Sequence, residues 1–262
     1  MDGTLLTPEK KITLHTKTVI KMALNMGISI LIVTGRPAGF AKAYIKEIDP
    51  RIQIIGFNGA QIDINNTMHL HPIPSGITTR ILEITDFYQL HTYAKAANTI
   101  YTNQPWSPTF CYDKLTASLK PRYQIKSHCN LQSLTRVFHG KNPAILKVLA
   151  YHEDINLVQS ARAKIEKLPA ELFDCGKDNF EAIAAGISKG SAIEQASTLI
   201  NIPLSQIGCI GDGSNDIPMF NKCAIKVAMG NAEPELKQIA DYITESNEHE
   251  GAAKAIEFLI GR

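Results

Sequence analysis

Asp2, Thr34, Lys189, Asp212, Asn215 and Asp216 stand in four short segments, each at the start or end of an apolar run. Asp2-Gly3-Thr4 is an acidic turn. Ile28-Ser29-Ile30-Leu31-Ile32-Val33 is a nearly continuous apolar stretch of the kind a strand buried on both faces requires, and it delivers Thr34-Gly35-Arg36-Pro37 at its carboxyl end. Ser188-Lys189-Gly190 opens a helical pattern in which Ile193, Ala196 and Ile200 recur. Ile207 to Gly211 reads as a second buried strand that runs into Asp212-Gly213-Ser214-Asn215-Asp216. Polar residues at such strand ends occupy the place where open α/β sheets bind ligands. Together the segments hold carboxylates, a hydroxyl, an exposed-backbone glycine and an ammonium. That set answers the needs of a dianionic phosphate, which repels an attacking carboxylate until a divalent cation and fixed donors offset its charge.

Each segment has an ordinary explanation when taken alone. Gly, Asp, Asn and Ser after a strand make common turns, a threonine at a strand end is usually solvated, and most lysines lie on the surface. Their co-occurrence in this order argues for a shared site. Other catalytic frameworks are missing: the sequence holds no Walker A phosphate loop and no Gly-x-Ser-x-Gly elbow. His69 and His71 could share a strand face, but neither has a cysteine or carboxylate at a metal-site spacing.

The four segments resemble those of the haloacid dehalogenase-like (HAD) superfamily, and the chain is similar to a Cof-type member of subclass IIB. Met1-Asp2-Gly3-Thr4-Leu5-Leu6 matches the second half of the signature Asp-x-Asp-Gly-Thr-Leu-Leu. Phe57-Asn58-Gly59-Ala60, Val227 to Ala232 and Glu245 to Gly251 also resemble segments of that group. The resemblance implies a Mg²⁺-dependent phosphatase for a small phosphorylated metabolite, sugar phosphate-like, working through an aspartyl phosphate. It implies that Asp212, with the Asp2 carbonyl, holds the metal. Thr34, Gly35 and Lys189 would bind phosphate oxygens, with Asn215 beside them and Asp216 behind. The Asp2 side chain would protonate the leaving alkoxide and then activate water. The attacking aspartate of the signature would fall immediately before Met1, at the end of a central strand, so that the chain as it stands is expected to be poorly folded and inactive. The alternative is a protein that binds a phosphometabolite without hydrolysing it.

These residues need a scaffold. Helix and strand patterns alternate from Thr13 to Gly59 and again from Gly186 to Ile260, which calls for a parallel sheet with right-handed crossovers. Expected elements are a helix over 37–48, a strand over 52–57 and a hairpin over 62–73 turning at Asn65-Asn66. The expected fold is α/β, a HAD-like Rossmannoid core over 1–75 and 185–262 with an inserted α+β cap of type 2B over 76–184. The cap is expected to hold helices over 77–97 and 154–168 and strands over 99–102, 144–150 and 171–174. Tyr101, Pro105, Trp106, Phe110 and Tyr112 form an aromatic segment, either a satellite core or a platform against which substrate stacks.

Composition restricts the partners. With 27 basic and 25 acidic residues interspersed among 262, the chain has no electrostatic footprint for nucleic acid or an anionic membrane. No apolar run reaches the length of a membrane span, and the amino terminus is not a secretory signal. Five cysteines without Cys-x-x-Cys spacing fit free thiols in a reducing compartment, hence a cytoplasmic protein.

Overall fold

The computed structural model describes residues 1–105, 112–138, 143–173 and 176–261. Contacts divide the chain into two units.

The first unit comprises Met1–Gly35, Tyr44–Met68 and Ser188–Arg262. Helix α1 (Leu14–Asn25) starts at Thr13, whose hydroxyl accepts from the Thr16 amide, and it buries Val19, Ile20, Ala23 and Leu24. Gly27, at φ +85°, ends it. The Ile28 amide then closes on the Ala23 carbonyl at 3.0 Å. Strand β1 is therefore shorter than the apolar run 28–33 implies, because Ile28 completes the helix end and only Leu31–Val33 meets a partner strand. Strand β2 (Gln53–Gly56) pairs with β1 in parallel and with β3 (Gln61–Ile64) antiparallel, and β4 (Thr67–Leu70) closes this four-stranded sheet. Asn65 and Asn66, at φ 52° and 62°, make the expected hairpin turn, since asparagine tolerates the left-handed conformation such two-residue loops require. Downstream, β11 (Gly208–Gly211), β12 (Ile225–Ala228) and β13 (Tyr242–Ile243) form a second, parallel sheet. Strands β1 and β11 are the end strands of their sheets. Between them lies a cavity of about 460 Å³ whose lining includes Ile30, Ile32, Ile193, Ile210, Ile225 and Leu259.

The second unit comprises Arg36–Ala43 and His69–Ile187 and so takes in the first turns of α2 (Ala38–Ile45). Its six-stranded sheet has the order β7 (Lys126–His128), β6 (Thr99–Thr102), β5 (His91–Lys95), β8 (Lys147–Tyr151), β10 (Asn179–Ala184), β9 (Ala170–Phe173). Ala94, Val148, Ala150, Phe180 and Ala182 turn one face of it toward a core shared with Ile81 and Leu82 of α3 (Ser75–Phe87) and Val158 and Ala161 of α6 (Ile155–Ile165). The opposite face carries a buried ion pair, Lys147 Nζ to Glu181 Oε1 at 2.6 Å. Here the expected helix over 77–97 is corrected. It stops at Phe87, Gln89 turns left-handed at φ 54°, and the Leu90 amide folds back to the Thr85 carbonyl, which frees His91–Lys95 to run as a strand. Strands β7 and β10 were not anticipated.

Trp106 and Phe110 lie outside the described residues. Tyr112 of the same aromatic segment is buried, meets the Phe40 ring edge-on at 5.5 Å and accepts a hydrogen bond from Arg36. Among the described residues Cys129, Cys209 and Cys223 are free thiols, and no helix is long and apolar enough to cross a membrane.

Candidate active site

All of the residues singled out for phosphate chemistry belong to the first unit. Lys189 is the first residue of α7 (Lys189–Ile200). Ser188 caps that helix reciprocally: its hydroxyl accepts from the Ser191 amide at 3.1 Å, and the Ser191 hydroxyl accepts from the Ser188 amide at 2.9 Å. The cap fixes where Lys189 departs. Gly190 packs so closely on Pro218 that an added Cβ would stand 2.3 Å from its carbonyl oxygen. The Lys189 side chain, only 5% exposed, donates to Asp216 Oδ1 at 2.5 Å and to Asn215 Oδ1 at 3.1 Å. Asp216 in turn accepts the Asp212 and Gly213 amides on Oδ2, at 2.9 and 3.2 Å. One of its oxygens is thus spent on the Lys189 ammonium and the other on shaping the 212–216 turn. Burial works against the Asp216 charge, but the Lys189 ammonium and these amides outweigh it and hold the carboxyl below its ordinary range.

Asp212 sits at the end of β11 and is reached from the other end of the chain. The Thr4 hydroxyl donates to Asp212 Oδ1 in a short hydrogen bond. Gly3, at φ +69°, passes so close that an added Cβ would lie 2.2 Å from Asp212 Oδ2, so both its conformation and its clearance require glycine. Burial, aided by the like charge of Asp216, pushes the Asp212 carboxyl up against the Thr4 hydroxyl and the Met1 amine, which pull it down. A buried carboxylate raised in this way is short of positive charge. Among the described residues no three His, Cys, Asp or Glu side chains are grouped to hold a metal. A single carboxylate, Asp212, would leave most coordination positions to other oxygens, a donor set that would fit a small hard cation and not zinc.

Thr34 follows β1, is 3% exposed, and has its amide on the Ile55 carbonyl at 2.9 Å. Its own carbonyl accepts the Asn58 amide at 3.0 Å. Asn58 Oδ1 accepts from Asn215 Nδ2 at 3.4 Å, so one side chain ties the Thr34-Gly35 segment to the 212–216 turn. The Asp2 carboxylate, one-third exposed, meets Lys10 Nζ at 2.8 Å. Lys10 was not anticipated.

Nor were Asn231 and Asn247. Asn231 Nδ2 donates to the Gly3 carbonyl and Asn247 Nδ2 to the Leu6 carbonyl, each at 2.8 Å, while the Asn247 amide donates to Asn231 Oδ1 at 2.9 Å. The two asparagines clamp the loop that carries Asp2 and Thr4. Both fall in segments whose resemblance was legible, but a clamp on residues more than 220 positions away has no local signal.

A family model for haloacid dehalogenase-like hydrolases matches residues 1–256. The chain is 27% identical over 278 residues to the 5-amino-6-(5-phospho-D-ribitylamino)uracil phosphatase YwtE of Bacillus subtilis strain 168, covering 99% of this chain and 96% of that protein. Among solved structures, a haloacid dehalogenase-like hydrolase from B. subtilis superposes with a TM-score of 0.84 at 23% identity, covering 97% of this chain and 96% of that one. The subclass IIB sugar phosphatase BT4131 superposes with a TM-score of 0.80 at 22% identity, covering 98% and 96%. These two likenesses bear on the fold.

Proposed function

The chain belongs to the haloacid dehalogenase-like hydrolases, as a phosphoric monoester hydrolase, and from that premise we propose that it is a Mg²⁺-dependent phosphatase of a small, sugar phosphate-like metabolite. The observation that carries this reading is the buried lysine network. Lys189 is neutralised by Asp216, whose other oxygen holds the Asp212 turn, so that one ammonium organises both the phosphate donors and the metal-ligand turn. In this reading the Thr34 hydroxyl, the Gly35 amide and the Lys189 ammonium receive the nonbridging phosphate oxygens, with Asn215 beside them. Such fixed donors stabilise charge as it develops on phosphorus without reorganising. Asp212 and the Asp2 carbonyl would hold Mg²⁺, which when bound supplies charge neutralisation for the incoming dianion.

In this reading an aspartate carboxylate makes the attack, as the family signature implies. The Asp2 side chain would move the protons: as the carboxylic acid it gives one to the leaving alkoxide, and the carboxylate so formed takes one from the water that opens the acyl phosphate. Its ion pair with Lys10 would have to open for the Asp2 side chain to take up that role. BT4131 is a sugar phosphatase and YwtE a 5-amino-6-(5-phospho-D-ribitylamino)uracil phosphatase; both names support a hydroxylated leaving group for this chain.

Release of inorganic phosphate from a panel of phosphate esters tests the proposal, with Mg²⁺ and with EDTA, for this chain and for a version preceded by an apolar strand ending in Asp. Mg²⁺-dependent turnover by the second version supports it. Phosphate binding without turnover in that version would leave a phosphometabolite-binding protein instead.

A further inference from the structure

Phe57, Asn58 and Gly59 turn left-handed in succession, at φ 50°, 55° and 113°, immediately after β2. A buried phenylalanine at positive φ is a true outlier, and such backbone persists only where the surroundings hold it. Here they do. Gly59 lies against the start of α7, where an added Cβ would stand 2.4 Å from the Ser188 carbonyl oxygen. Phe57 is wholly buried. The outcome of the turn is the placement of one polar side chain, Asn58, at 1% exposure. Its carboxamide lies over Gly35, where an added Cβ would be 3.1 Å from Oδ1, and the same oxygen takes the Asn215 amide. Asn215 then offers its own oxygen to Lys189.

We propose that Asn58 is a positioning residue of the phosphate site: its carboxamide fixes the rotamer of Asn215, and thereby the Lys189 ammonium, against the Gly35 backbone. A primary amide suits this place. Its oxygen fixes which way the Asn215 amide faces, so the Asn215 oxygen is left for Lys189, and it does so without adding negative charge where a dianion must bind. The inference rests on the phosphatase reading above and adds a residue to it.

The test is binding of inorganic phosphate in the presence of Mg²⁺, followed by calorimetry, together with the side-chain amide signal of Asn215 in a nitrogen–proton correlation spectrum. Asn58→Gly accepts the left-handed backbone at least as well as asparagine. If Asn58 serves only the turn, that variant binds phosphate like the parent and leaves the Asn215 signal in place. If Asn58 positions Asn215, the signal moves and phosphate binding weakens about tenfold, the scale of one lost hydrogen bond to a charged network. Asn58→Gly in an Asn215→Ala background should then add nothing, since the two act as a unit. Asn58→Asp keeps shape and turn, and its carboxylate should weaken phosphate binding more than glycine does. Parent-like phosphate affinity in both Asn58→Gly and Asn58→Asp, or additive losses in the cycle, overturns the proposal alone. Absence of phosphate binding with Mg²⁺ present, both in this chain and in the version preceded by an apolar strand ending in Asp, overturns the phosphatase reading, and this inference with it.

Discussion

Replacing Lys189 by methionine keeps the length of the side chain and removes its charge. Lys189 and Asp216 are 5% and 7% exposed, and the Asp216 carboxylate has only two backbone amides besides the ammonium. Breaking a buried pair by deleting one partner strands the other charge, at a cost of about 3–5 kcal/mol. With a urea slope of roughly 3 kcal/mol/M, the denaturation midpoint at pH 7 should fall by about 1–2 M. The pH dependence follows from Asp216. In the parent its carboxyl is held below the ordinary aspartate value, so its contribution is complete above about pH 4 and is lost as pH falls through the folded-state pKa. Without Lys189, burial prevails and raises that carboxyl, so the penalty is full at neutral pH and is relieved as the group takes a proton. Lys189 also holds down the Asp212 carboxyl and the Met1 amine, so both rise without it, and Asp212 adds to proton uptake in the same direction. The gap between parent and Lys189→Met should therefore narrow from pH 7 to pH 5. Lys189→Met/Asp216→Asn, with no stranded charge, should recover to within about 1 kcal/mol of the parent. Urea melts followed by circular dichroism at both pH values decide the matter. A loss under about 1 kcal/mol at pH 7, an unchanged gap at pH 5, or a double variant as weak as the single one would refute the reasoning.

Gly3→Ala should cost about 1–2 kcal/mol from its left-handed backbone alone and, by driving a methyl into Asp212, should weaken Mg²⁺-supported phosphate binding in calorimetry. Asp212→Asn keeps the shape and removes a ligand charge, so Mg²⁺ affinity measured with a phosphate analogue should drop sharply; parent-like affinity counts against its assignment. Asn247→Ala strands the carbonyl of fully buried Leu6 and should lower stability by about 1–3 kcal/mol, with faster hydrogen exchange confined to the amides of the 1–6 loop. Lys147→Met should destabilise the second unit by about 3–5 kcal/mol and leave phosphate binding by the first unit unchanged.

What the sequence disclosed, it disclosed through local chemistry. The Ser188 cap, the Asn65-Asn66 turn and the β11 run each follow from a few adjacent residues, and each lies where the pattern put it. The parallel α/β character and the resemblance to HAD hydrolases followed from the same segments. Strand β10 escaped because the alternation of Asn179-Phe180-Glu181-Ala182 lasts only four residues before Ile183 and Ala184 break it, and Glu181, whose type suggests solvent, is instead buried by its ion pair with Lys147. Strand β5 reads as a helix continuation because only the back-folded Leu90 amide separates it from α3. In the site, acidic and basic residues stood out by type. The asparagines at 58, 231 and 247 did not, since an asparagine in a turn is commonplace until its distant partner is known.

The clamp on the first six residues also bears on the order of events during synthesis. Thr4 waits for Asp212, Gly3 for Asn231 and Leu6 for Asn247, each separated by more than 200 positions of chain. The second unit is nearly continuous from His69 to Ile187, so its sheet can close while the ribosome is still making the rest. Through that interval the opening loop has none of these partners and is open to proteases and chaperones. Ribosome-arrested chains from which residue 187 but not residue 212 has emerged should therefore protect the second unit from proteolysis and leave the amino-terminal loop cleavable, with the loop gaining protection only once residue 247 has emerged.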